Sequence, residues 1–157
     1  MSSASLKKLI SAVITVAMVL AAFAVGIALL NHLGYVYPVK GMSMLPNINE
    51  GDLVLIKPCS TKDVNIGEIV VYQRGDTFII HRVVNKVMKD GEILLMTKGD
   101  NNPVPDAVLV DDEMLKGVVV LHLPALGIFT IAPYNYLLAL ILAIGIVYET
   151  VQGRKRP

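Results

Sequence analysis

The chain has one cysteine, Cys59, in 157 residues. A lone cysteine excludes an intrachain disulfide framework. Nothing beside Cys59 would activate a thiolate, so it reads as a small, partly buried loop residue. Charge is scarce too. Asp, Glu, Lys and Arg make up 17% of the residues, and the net charge is +1. There is no basic patch interleaved with aromatics, and nucleic acid is not an expected partner. Internal repeats, heptads and low-complexity tracts are all missing, which excludes solenoids, coiled coils and disordered arrays. The length is that of one domain.

Apolar residues are abundant, at 54%. They concentrate at the two ends, which is the pattern of a membrane protein. Residues 9–30 carry no charge. At about 1.5 Å per residue, such a run crosses a bilayer core of roughly 30 Å. A cleavable signal peptide shares the basic start and apolar centre. Its core, however, is about 7–15 residues long and ends at a small-x-small site. Here the run is longer and Asn31-His32-Leu33-Gly34-Tyr35 follows it, so a retained anchor is expected.

Residues 123–148 are again uncharged. Pro124 and Pro133 make the first part irregular, and Pro133 suits the first turn of a helix. A second transmembrane helix is expected over 130–148, with Tyr134, Tyr136 and Tyr148 as interfacial anchors. A soluble helix would need a polar face, which 137–147 lacks. Lys7 and Lys8 flank one run, and Arg154, Lys155 and Arg156 flank the other. By the positive-inside rule both termini are cytoplasmic. The expected organisation is a cytoplasmic N-terminus at 1–8, a transmembrane helix at 9–30 and an extracytoplasmic β-rich domain at 31–129. A second transmembrane helix at 130–148 and a basic cytoplasmic tail at 149–157 complete it.

The middle region reads as β. Strands are expected at 35–39, 53–57, 68–72, 78–87, 93–98 and 117–121, where Val, Ile, Leu and Tyr cluster between turn residues. Lys89-Asp90-Gly91-Glu92 predicts a tight hairpin, and Arg74-Gly75-Asp76 a turn. The fold class that follows is mainly β, a small coiled domain of antiparallel sheet flanked by N-terminal and C-terminal transmembrane helices. From Val118 to Phe129 almost nothing is polar, and part of this stretch should touch lipid or headgroups. His122 and His32 read as interfacial side chains.

Few groups in this domain could do chemistry. Ser43 stands in Gly41-Met42-Ser43-Met44-Leu45-Pro46, a turn in which serine usually bonds its own backbone. His81 lies in an apolar strand, on the face shared with Ile79 and Val83. Asp100 and Asp106 share a turn-rich loop. Asp111, Asp112 and Glu113 read as a solvated run. Serine is a weak nucleophile until a base takes its proton, and the base needs an orienting acid. Ser43, His81 and an aspartate, in that order, suggest acyl transfer.

Three boxes carry a resemblance. They are Gly41-Met42-Ser43-Met44-Leu45-Pro46 with Glu50-Gly51-Asp52-Leu53-Val54, then His81-Arg82-Val83-Val84, then Lys98-Gly99-Asp100-Asn101-Asn102 with Asp106. In these boxes, their order and the anchor, the chain resembles the type I signal peptidases. It is most similar to the archaeal and endoplasmic-reticulum branch, which uses histidine where bacterial relatives carry lysine. The resemblance implies a membrane-bound serine endopeptidase with Ser43 as nucleophile and His81 as general base. It favours Asp106 as the acid orienting His81, with Asp100 as supporting or alternative acid. It implies no cofactor and no metal. The implied partners are signal-peptide-bearing preproteins and the lipid bilayer; accessory subunits leave no mark in the sequence. The implied location is the cell membrane, multi-pass, with the catalytic domain outside the cytoplasm.

The sequence departs from the family pattern at one position. Many bacterial relatives carry a serine two residues before the nucleophile, whose hydroxyl helps stabilise the oxyanion; here Gly41 stands there. The expected oxyanion donors are therefore the backbone N–H groups of Ser43 and Met44, or a donor elsewhere in the site. Such a donor is worth about 2.7–4 kcal/mol. Two other readings compete. One is a serine–lysine dyad with Lys98 as base; the other is a non-catalytic, membrane-tethered β scaffold.

Overall fold

The computed structural model describes residues 3–130 and 134–153. Pro133 and the basic residues Arg154, Lys155 and Arg156 lie outside the described residues. The chain forms two compact units, 31–128 and the pair of end segments 1–30 and 129–157.

The end segments are helical. Helix α1 spans Ser3–His32, and within it Ile10–His32 is long and apolar enough to cross a membrane. Val13, Val16, Val19, Leu20 and Phe23 are all exposed on it. Apolar residues outside as well as inside suit a lipid environment. Helix α2 spans Tyr134–Gly153, and its apolar stretch, Tyr136–Tyr148, is the shorter of the two. Gly145 of α2 lies against Met18 of α1. Ala21 and Ala24 are buried, and a Cβ at Gly145 would collide with the Met18 side chain.

The unit 31–128 is mainly antiparallel sheet. Its strands are β1 (Val36–Pro38), β2 (Leu53–Lys57), β3 (Ile69–Arg74), β4 (Thr77–Lys89), β5 (Glu92–Lys98) and β6 (Leu115–Leu123). They lie in the order β1-β2-β6-β3-β4-β5, and all pairs are antiparallel. Each expected strand is present. β4 runs longer at both ends than its apolar centre predicts, because two tight hairpins extend its ladder. The β4–β5 turn uses Asp90 and Gly91 with φ of 52° and 85°, the left-handed pair that a two-residue hairpin needs. Register shifts at Leu55/Ile56, Val71/Tyr72 and Val83/Asn85 bend the sheet.

Alternation along the strands fills a core on each face. Tyr37, Met44, Val54, Ile56, Val71 and Ile80 form one; Val70, Tyr72, Val83, Leu95, Val110 and Leu115 form the other. Cys59 packs against the second, and burial pushes its thiol up. His81 shares the second face through the spacing of Ile79, His81 and Val83. Val120, Leu121 and Ile128 keep large apolar side chains exposed.

Candidate active site

Ser43 sits in the loop between β1 and β2. The loop is closed at its base by two backbone bonds, Val39 N–H to Asp52 O at 2.8 Å and Gly51 N–H to Val39 O at 3.0 Å. Met44 and Ile48 anchor it from inside, each 2% exposed. The N–H groups of Asn47 and Ile48 both bond Met44 O at 3.0 Å. Gly41 takes φ of 84°, a conformation that side-chain-bearing residues rarely adopt. Among the described residues, no hydrogen bond engages the Ser43 or Met44 backbone N–H.

His81 lies on β4 and is 7% exposed. Its Nε2 is 3.0 Å from Ser43 Oγ, and its Nδ1 is 2.6 Å from Asp106 Oδ2. Asp106 comes from the loop after β5, where its N–H bonds Thr97 O at 2.8 Å. Burial alone would raise the Asp106 carboxyl. Hydrogen bonds from Thr97, His81 and Tyr72 outweigh burial and hold it below the usual carboxylate range. An ionised carboxylate only accepts, so Nδ1 carries the proton. The Nε2 lone pair then faces the Ser43 hydroxyl. This is the order in which a serine can be deprotonated.

Asp100 serves differently. Arg82 grips it with two bonds, Nε to Oδ1 at 2.8 Å and Nη2 to Oδ2 at 2.7 Å. Asn47 Nδ2 adds a third, to Oδ2 at 2.7 Å. The Arg82 hydrogen bonds hold the Asp100 carboxyl below its ordinary range. Asp100 thus joins the serine loop to β4 and does not bond His81. Lys98 lies opposite Arg82 in the β4–β5 ladder. Adjacent strand residues point to opposite faces, so it faces away from Thr97 and Asp106. Asp111 and Asp112 accept backbone N–H groups from Met114 and Thr61, a structural use.

The loop carrying Asp106 also braces the serine. Asn101 Nδ2 reaches Met42 O at 3.2 Å. Gly99 is needed for close approach, because a Cβ there would sit 2.7 Å from Ser43 O.

Several of these residues escaped the sequence. Tyr72, Thr97 and Asn47 carry no motif of their own, and Arg82 stands in the His81 box without a role assigned to it. A buried tyrosine does ask for a partner, but the sequence does not name it. His122 also has a partner, with its Nε2 2.6 Å from Asp52 Oδ2. Asp52 is 4% exposed, and it also accepts Asn49 N–H at 2.8 Å and Ala125 N–H at 2.9 Å. Burial favours its neutral form, but these bonds together hold it below the usual range.

Comparison with known proteins gives one family. The model described as Peptidase S24-like matches residues 17–120. The signal peptidase complex catalytic subunit SEC11 of Yarrowia lipolytica is 38% identical over 99 residues, covering 57% of each chain. That of Colletotrichum graminicola is 38% identical over 104 residues, 60% of each chain. Signal peptidase I W of Bacillus subtilis is 34% identical over 76 residues, 47% of this chain and 40% of its own. The chain therefore spans little more than half the length of the SEC11 relatives, and less of the Bacillus protein.

Proposed function

Since the chain belongs to the S24-like peptidase family, we propose that it is a membrane-bound serine endopeptidase that removes N-terminal signal peptides from exported preproteins. The observation carrying this reading is the unbroken chain from Ser43 Oγ through His81 to Asp106, at 3.0 and 2.6 Å. The names of the relatives support the substrate class.

In the proposed mechanism, Ser43 Oγ attacks the scissile carbonyl as its proton passes to His81 Nε2. Asp106 holds Nδ1–H and stabilises the imidazolium that forms. The Ser43 and Met44 N–H groups receive the oxyanion. The tetrahedral intermediate collapses to an acyl-enzyme, and His81 gives its proton to the leaving amine, the new N-terminus of the mature protein. Water, deprotonated by His81, then releases the signal peptide and restores Ser43. Shallow apolar pockets select small residues before the cut.

The domain 31–129 lies outside the cytoplasm, between transmembrane helices at 9–30 and 130–148, with both termini inside. The sheet has the coiled, signal-peptidase-like form. The length and apolar character of Ile10–His32 support the first crossing. The basic residues beyond 153 support the second. Tethering enzyme and substrate to one bilayer raises their effective concentration. A reporter fused after Pro157 should stay inside the cell; finding it outside removes the second crossing.

The activity is tested with the purified full chain in detergent, acting on a precursor that carries an Ala-x-Ala site. Cleavage by the parent and its loss in Ser43→Ala and His81→Ala is the expected result. Full cleavage by Ser43→Ala sinks the peptidase reading and leaves a scaffold. Loss in Lys98→Ala with cleavage kept in His81→Ala reassigns the base.

A further inference from the structure

Three neighbouring strands converge on one oxygen. Asp106 Oδ2 accepts Tyr72 OH from β3 at 2.9 Å, His81 Nδ1 from β4 at 2.6 Å and Thr97 Oγ1 from β5 at 2.7 Å. We propose that Tyr72 and Thr97 are positioning residues of the peptidase site, whose hydroxyls hold the Asp106 carboxylate on the Nδ1 side of His81. This rests on the Ser43–His81–Asp106 reading above and adds two residues to it.

The register explains the convergence. Val70 faces His81 across β3–β4, and Val83 faces Thr97 across β4–β5. Tyr72, His81 and Thr97 therefore share one face of adjacent strands. Two hydroxyls reach in from either side of the strand that bears the base. Tyr72 is 1% exposed and Thr97 is fully buried, so neither is a chance surface contact. The Tyr72 ring also meets the His81 ring edge-on, with centroids 6.5 Å apart.

A carboxylate on a loop can swing about its own side-chain bonds. Here any rotation of Asp106 breaks bonds to three strands at once. The two hydroxyls also donate at any working pH. Threonine does not titrate, and burial, reinforced by the nearby Asp106, pushes Tyr72 up to about 12. The grip on Oδ2 therefore does not depend on the protonation of His81, which changes twice per turnover.

The experiment compares Tyr72→Phe, Thr97→Val and Thr97→Ser with the parent, using the full chain in detergent and a fluorogenic peptide with an Ala-x-Ala site. Both Phe and Val remove a donor with almost no change of volume. Each is expected to lower kcat about tenfold, the value of one hydrogen bond to a charged group, with KM kept within about twofold. Losing a donor also leaves the Asp106 carboxylate more basic and a stronger partner for the imidazolium, so the acid limb of kcat/KM, set by the general base, should move up by about half a pH unit to one. Thr97→Ser should restore the parent profile.

A purely structural role lowers the amount of folded enzyme and leaves the pH profile unmoved. An unmoved profile in both Tyr72→Phe and Thr97→Val overturns the proposal. So does a Thr97→Ser variant as impaired as Thr97→Val. Ser43→Ala, run alongside, separates the two levels. If it stays active, the triad reading fails; if it is inactive while Tyr72→Phe matches the parent, only the positioning role fails.

Discussion

Asn101 donates its backbone N–H to the carbonyl oxygen of Ser43 at 2.8 Å. The loop that carries Asp106 is thereby bonded to Ser43. Both meet His81 from loops, while His81 itself comes from a strand. The spacing of the three groups depends on that loop-to-loop contact as much as on the sheet.

The two aspartates should separate cleanly. Asp106→Asn keeps the shape but can offer an N–H to His81 Nδ1, which favours the wrong tautomer. A fall in kcat of about 10³–10⁴-fold is expected. Asp100→Asn should instead weaken the Arg82 and Asn47 bonds, lower stability by about 1–3 kcal/mol and leave the pH–rate profile in place. Steady-state kinetics and denaturant unfolding of both variants check this. Equal kinetic losses would return the choice of acid to the open.

Gly99→Ala should uncouple activity from folding. The added methyl meets Ser43 O at 2.7 Å and Asn102 Nδ2 at 2.8 Å, so the loop must move away from the serine. Misplacing a reacting group by about 1 Å can cost about 100-fold in rate. The expected outcome is a kcat/KM reduced by that order with a melting temperature changed by only a few degrees. A fully active Gly99→Ala enzyme would show that the close approach is dispensable.

Stability should fall on the acid side. Asp52, Asp100 and Asp106 each have a folded-state pKa below their ordinary value. A carboxyl of this kind stabilises the fold above its unfolded pKa, about 3.9. The contribution is lost as pH falls through the lower folded-state value, because the unfolded chain then binds protons first. Melting temperature measured from pH 7 downwards should therefore hold and then drop below about pH 4. Asp52→Asn should flatten part of that drop and lower the plateau at pH 7. A plateau unchanged in Asp52→Asn would deny the His122–Asp52 contact any role in stability.

Much of this was legible in the sequence. β-branched runs between Gly-Asp turns gave six strands, because local pattern fixes which residues can alternate across a sheet. Ser43 and His81 stood out because each occupied a distinctive box. Only the resemblance favoured Asp106 over Asp100; the residues themselves left the two open, since both lie in one polar loop and spacing does not say which way a side chain turns. In space, Arg82 occupies Asp100 while Asp106 meets His81. Tyr72 and Thr97 were invisible for a related reason. Their hydroxyls matter only because strand register brings them to one oxygen. His122 and Asp52 lie 70 residues apart in the chain, so no local pattern could pair them.

β4 is flanked on one side by β3 and on the other by β5. Backbone in such an interior strand is released only when the sheet comes apart. The serine and the aspartate are carried by loops instead, outside the sheet's own ladder. The imidazole is not, and its lifetime in position is the lifetime of the folded domain itself.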